Sequence, residues 1–186
     1  MRTRTGRRTF LTLAILAACS FVAGAQPDYR TTPYKGPIHL PQSCRDRDLT
    51  VRQVTDDAAM GGEHLGLYAF RNNSLRACTL KGYPRFQLLN KAGGMLLRGQ
   101  AINSQQLVVD EVKHPPQLVT IEAGAEAWFR VHYNSGGAGY MGKPCPTSSK
   151  VRIVAPGTTR PLLLKDKITS CRRVEVSAVR SGPVPE

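Results

Sequence analysis

Leu65-Gly66-Leu67-Tyr68-Ala69-Phe70-Arg71 alternates between two sides of an extended chain, and so does Ala127-Trp128-Phe129-Arg130-Val131-His132-Tyr133. A period of two sets one row of side chains on a core and the other toward water, so both runs are read as half-buried strands. The second is the richer in aromatic and β-branched residues. It holds the single tryptophan, Trp128, which is assigned to the core. Residues 49–54 alternate in the same way, and Asp56-Asp57-Ala58-Ala59-Met60-Gly61-Gly62 is expected to end that strand. Residues 85–98 read as a hairpin about Asn90-Lys91-Ala92-Gly93-Gly94. Further strands are expected at 106–112, 118–121 and 174–179, with a hairpin of 151–154 and 161–164 across Ala155-Pro156-Gly157.

Between the strands at 65–71 and 85–89 lies Cys78-Thr79-Leu80-Lys81-Gly82-Tyr83-Pro84. It reads as a corner, with Gly82 and Pro84 setting the backbone and Tyr83 packing over the sheet while its hydroxyl finds a partner. Eight or nine short strands at roughly ten-residue spacing, with turn residues between them and no helical period, are the pattern of one antiparallel β-sandwich. Roughly 140 residues are enough for one core.

The first residues do not fit that pattern. Arg2, Arg4, Arg7 and Arg8 precede an apolar run at 10–18, which is the form of a secretory signal and too short for a stable membrane span. Leu16-Ala17-Ala18-Cys19 resembles a lipoprotein processing site, with Cys19 as the lipidated residue and 1–18 removed. Ala23-Gly24-Ala25 fits an ordinary cleavage that removes 1–25. Both remain open, and the apolar Phe21 and Val22 beyond Cys19 lean toward the ordinary site. Arg7-Arg8 also resembles a twin-arginine signal. Residues 26–43 hold Pro27, Pro33, Pro37 and Pro41 without periodicity and read as an extended tether. The folded domain is expected at 44–179 and a flexible tail at 180–186.

Export changes the reading of the cysteines. Cys44, Cys78, Cys145 and Cys171 are an even set in an exported domain, and disulfides outrank zinc because no two lie in a close pair. Of three possible pairings, Cys44–Cys78 and Cys145–Cys171 are nearest in sequence and are favoured, closing loops worth about 3.5 kcal/mol each in the chain-entropy model. The charge is strongly basic: 26 Lys and Arg against 13 Asp and Glu, or +13. Without the four leader arginines it is 22 against 13, or +9. Such a protein is drawn to anionic lipids and wall polymers, although scattered positives with no run of five also describe a solvated surface.

Candidate chemistry is sparse. There is no Gly-x-Ser-x-Gly, no His-Glu-x-x-His and, past Cys19 of the leader, no free cysteine beyond the disulfide set. Asn134-Ser135-Gly136-Gly137-Ala138-Gly139-Tyr140-Met141-Gly142 lacks the Gly-Lys-Ser/Thr and helix of a phosphate loop, and is read as a loop at a sheet end. His39, His64, His114 and His132 show no supporting spacing. No catalytic, cofactor-binding or metal-ligating residue is assigned.

The Cys-x-Leu-x-Gly-Tyr-Pro corner at 78–84, Asn72-Asn73-Ser74 before it, and the turn Ile121-Glu122-Ala123-Gly124-Ala125-Glu126-Ala127 resemble a family of exported bacterial domains of unknown function. The family's turn usually has proline where this chain has Ala123. The resemblance spans most of 44–171 and implies an immunoglobulin-like sandwich, exported and often lipid-anchored. It carries over no catalytic residues. The expectation is therefore an all-β, antiparallel immunoglobulin-like β-sandwich with two disulfides, located in the periplasm, outside the cell or lipid-anchored at the envelope. Its role is read as non-catalytic binding of an anionic envelope polymer, a lipid head group or an envelope protein, without specific nucleic-acid recognition or a transmembrane span. The alternative is an envelope hydrolase or metal-dependent enzyme, which requires a concave pocket with a histidine beside an acid or hydroxyl.

Overall fold

Alternation decides which side of each strand is buried. In Glu126–Asn134, the side chains of Ala127, Phe129, Val131 and Tyr133 are all within 3% of complete burial, while the intervening residues face outward. A computed structural model describes residues 41–104, 115–136 and 144–182. The expected leader with Cys19, most of the tether, the strand at 106–112 and the glycine-rich stretch at 137–142 lie outside the described residues.

The strands are β1 (Gln42–Ser43), β2 (Leu49–Ala58), β3 (Glu63–Asn72), β4 (Cys78–Lys81), β5 (Arg85–Leu89), β6 (Met95–Asn103), β7 (Leu118–Ile121), β8 (Glu126–Asn134), β9 (Lys150–Val154), β10 (Leu162–Leu164) and β11 (Val174–Val176). One sheet has the order β10-β9-β5-β6-β11-β8-β3-β2, and a smaller one has β1-β4-β7. β6 serves both halves of the long order, pairing with β5 through Gln87 and Gln100 and with β11 from Ala101 to Asn103. The chain therefore folds back on itself as a sandwich. Tyr68 and Phe70 of β3 and Phe129 of β8 share one core with Phe86 and Leu88 of β5 and Val151 and Ile153 of β9. The Tyr68 and Phe86 rings meet edge to face at 5.5 Å, a favourable aromatic geometry. Leu80, Val119 and Ile121 of the small sheet join the same core.

Two pairings are parallel, β1 with β4 and β11 with β6, so the sheets are mixed where a wholly antiparallel arrangement was expected. Cys44, just after β1, is bonded to Cys78 at the start of β4, and its N–H donates to Thr79 O at 3.0 Å. That staple ties the end of β1 to the start of β4. Cys145 and Cys171 form the second disulfide. The corner has Gly82 at φ +108°, a conformation that side chains disfavour, and Pro84 is buried beneath it. Asn72 secures the end of β3. Its Nδ2 donates to Arg76 O at 2.7 Å and Ile121 O at 3.0 Å, and its Oδ1 accepts from Ser74 N and Oγ.

Trp128 is not in the core. The register gives the inner face of β8 to its odd-numbered residues, so Trp128 lies half-buried on the outer face under the Arg52 guanidinium, 5.7 Å from the ring centroid. β2 runs four residues past its expected end, because β3 continues beside it as far as His64 and Asp56 and Asp57 tolerate an exposed edge. Arg180, expected to begin the tail, exchanges both backbone hydrogen bonds with Trp128. Among the described residues, no helix is long and apolar enough to cross a membrane.

Candidate functional site

At one end of the sandwich the inner face turns polar. Antiparallel register sets His64 of β3 opposite Tyr133 of β8. A β-bulge between Gln53 and Thr55 brings β2 into the same group: before it Gln53 faces Tyr68, and after it Asp56 faces Gly66. Without the extra residue, Thr55 would take that inner place. Gly66 keeps the space open, since a Cβ there would lie 3.0 Å from Tyr68 Cε2 and 3.7 Å from Asp56 Oδ1.

Two phenols donate to two carboxylates in this group. Tyr133 OH reaches Asp56 Oδ2 at 2.6 Å, and Tyr68 OH reaches Asp166 Oδ2 at 2.7 Å. Burial first, and then the neighbouring carboxylates, push both phenols far above their ordinary range, so they remain neutral donors. The His64 ring stacks on Tyr133 at 4.6 Å and 5°. His64 Nε2 lies 3.0 Å from Ser135 Oγ, and Nδ1 lies 3.8 Å from Asp56 Oδ2, without a hydrogen-bond partner among the described residues. Ser135 Oγ also donates to Gly62 O at 3.1 Å, and Gly136 N donates to Asn134 Oδ1 at 2.8 Å.

A hydroxyl, an imidazole and a carboxylate thus stand in line, an arrangement that sequence spacing did not show. Ser135 and His64 meet because β3 and β8 pair along their whole length, while Asp56 arrives through a bulge with no mark in the sequence. His132 belongs elsewhere. It lies on the outer face opposite Leu65 and Glu175, with Nε2 2.8 Å from Glu63 Oε2. The sheet separates the two histidines. Among the described residues, no group of three His, Cys, Asp or Glu is placed to hold a metal ion.

The two outer faces differ in charge. Outward positions of β2, β3, β8 and β11 hold Arg52, Arg71 and Arg130 together with Asp57, Glu63, Glu126 and Glu175. Arg52 grips Glu126 with two hydrogen bonds of 2.9 and 2.8 Å. That contact holds the Glu126 carboxyl below its ordinary value and raises the guanidinium. On β5 and β9, burial of Phe86, Leu88, Val151 and Ile153 turns Arg85, Gln87, Lys150 and Arg152 outward. Leu163 faces Arg152 from β10, and Lys165 follows it, exposed. None of these outward residues is acidic.

Neither the curated proteins nor the solved structures contain a match to the chain. Residues 44–184 match the model of a domain of unknown function (DUF4232), and the chain belongs to that family.

Proposed function

We propose that this protein is an exported, non-catalytic binding module of the cell envelope that holds an anionic partner on one sheet face. The observation that carries the reading is the row of Arg85 on β5, Lys150 and Arg152 on β9 and Lys165 just after β10, with no acidic residue in ion-pair contact among the described residues, in a domain whose other face matches its charges. The disulfides and the arginine-led N-terminal segment support export. Attraction of this kind is screened by salt. Cosedimentation with phosphatidylglycerol vesicles, against phosphatidylcholine vesicles, is expected to show binding at low salt that falls steeply as salt is added. Equal affinity for the two vesicles at low salt would defeat the reading.

A second reading, an envelope hydrolase, draws on the line Ser135–His64–Asp56. Its geometry is only half a nucleophilic triad. Asp56 is occupied by Tyr133, and the Gly136 N–H, next in sequence to the serine, is spent on Asn134. A fluorophosphonate probe decides it: labelling that disappears in Ser135→Ala and His64→Ala would favour the hydrolase, and absence of labelling would favour the binding module.

A further inference from the structure

The cationic face is not uniform. A groove of about 230 Å³ opens on it, lined by Arg85, Gln87, Arg152, Val154, Thr159 and Pro161. In the β5–β9 register, Arg85 faces Val154 and Gln87 faces Arg152, so the two arginines are diagonal neighbours. Such neighbours lie about 7–8 Å apart at the backbone, within the joint reach of two guanidinium groups. Neither forms an ion pair with a carboxylate among the described residues. Among the described residues their side-chain hydrogen bonding is limited to a long contact, Arg152 Nη1 donating to Gln87 Oε1 at 3.5 Å.

Asp46 borders the groove through Thr159, but its oxygens are already committed. Oδ1 accepts the N–H groups of Thr159 and Arg160 at 2.8 and 2.9 Å, and Oδ2 accepts the Thr159 hydroxyl at 3.0 Å. The backbone donors in particular hold that carboxyl below its ordinary value. Asp46 therefore braces the turn after β9 and leaves Arg85 and Arg152 without an anionic partner among the described residues.

We propose that this groove binds a phosphate group, with Arg85 and Arg152 as its two guanidinium clamps. The inference rests on the binding reading above and gives it a place and a ligand chemistry. Guanidinium forks match the oxygens of a phosphate, and Gln87 adds an amide donor. The groove is smaller than the roughly 300–1,000 Å³ of pockets that enclose a drug-sized molecule. It admits one phosphate ester with its adjoining carbons against Val154 and Pro161, and the rest of the ligand stays outside. That shape suits a repeating unit of a phosphate polymer or a lipid head group, and Leu163, 59% exposed opposite Arg152, offers an apolar neighbour.

The test uses the processed protein purified from its own host and two probes at low salt: soluble inorganic polyphosphate, and phosphatidylglycerol vesicles against phosphatidylcholine vesicles. Arg85→Gln/Arg152→Gln is expected to weaken binding roughly thirtyfold. Arg172→Gln/Arg173→Gln, which removes the same charge from two exposed arginines outside the groove lining, should lose no more than about threefold. Arg85→Lys/Arg152→Lys keeps the charge without the forks and should fall between the two. Melting curves for each variant separate loss of the site from loss of the fold. With the variants ranked in that order, binding to vesicles alone would assign the phosphate to a lipid surface, and binding to polyphosphate, with or without vesicles, would assign it to free phosphate chains; either result then supports the groove. Equal losses in the two glutamine variants would overturn the groove and leave the charge reading standing. A wild-type protein that bound neither probe would overturn both.

Discussion

The outer faces of β2–β3–β8 and of β5–β9–β10 are made by the same alternation of buried and exposed residues, yet they treat charge in opposite ways. On the first, Arg52 is fixed by Glu126 and lies over Trp128, and His132 is beside Glu63. On the second, Arg85 and Arg152 have no acidic neighbour in ion-pair contact among the described residues, and Lys150 and Lys165 extend the positive row. A paired charge is spent on structure. An unpaired charge on a rigid face contributes little to the fold and remains available to a partner. The net charge does not distinguish these cases. Only the register of each strand does.

The largest effect is expected where both faces depend on the same side chain. Phe129 is fully buried and stacks on Phe70 at 5.0 Å and on Tyr68 at 5.4 Å. Phe129→Ala should cost about 3–5 kcal/mol, read as a fall in the denaturant midpoint. The unfolded chain keeps every positive charge. If it also kept its affinity for anionic vesicles, the contrast between the faces would have no bearing on binding.

High pH offers a reversible way to the same end. Tyr68 and Tyr133 hold their protons in the folded protein far above the ordinary range. In the unfolded chain they release them near pH 10. The stability this provides is complete below that pH and is lost as pH rises above it. Each phenol should contribute about 1.4 kcal/mol per pH unit of loss above pH 10. Tyrosinate absorbance should therefore rise together with unfolding, and Tyr68→Phe should flatten the slope by about one proton. Ionisation of all six tyrosines while the fold persists would contradict the burial of these two.

How far the sequence reveals this arrangement depends on the kind of feature. Strands with clear alternation, such as β3 and β8, are legible because burial repeats every second residue. The two hairpins are legible because Gly93 and Gly157 mark their turns with positive φ. The side taken by Trp128 is not legible, since a large aromatic fits either face of a well-paired strand. The meeting of Asp56 with His64 depends on the bulge near Val54, and nothing in Gln53-Val54-Thr55 distinguishes a bulged strand from a regular one. The cationic row is scattered through 85–165, and only the pairing of β5, β9 and β10 gathers it.

A smaller effect belongs to the paired face. Arg52→Gln should cost about 0.5–1 kcal/mol, because the pair is partly exposed although bidentate. The carboxyl of Glu126 is held below its usual 4.5 by Arg52, so the stability it lends is present above that value and fades as pH falls through the lower, folded one. In Arg52→Gln the acid limb of the stability profile should shift upward in pH. Binding to anionic vesicles should hardly change, and a loss as large as that of the groove variant would mean that this face also takes part.

The smallest effect on stability is the most discriminating. Arg85→Gln/Arg152→Gln removes two side chains that make no ion pair among the described residues and only one long hydrogen bond, so the melting midpoint should correspond to a change within about 0.5 kcal/mol. Two like charges on adjoining strands repel, so their removal takes no attractive pair from the fold. A protein that loses binding and keeps its stability at Arg85 and Arg152, while losing stability and keeping binding at Arg52, has divided its arginines by face. If the groove variant melted well below the wild type, these arginines would be bracing the sheet, and the second face would be a structural surface like the first.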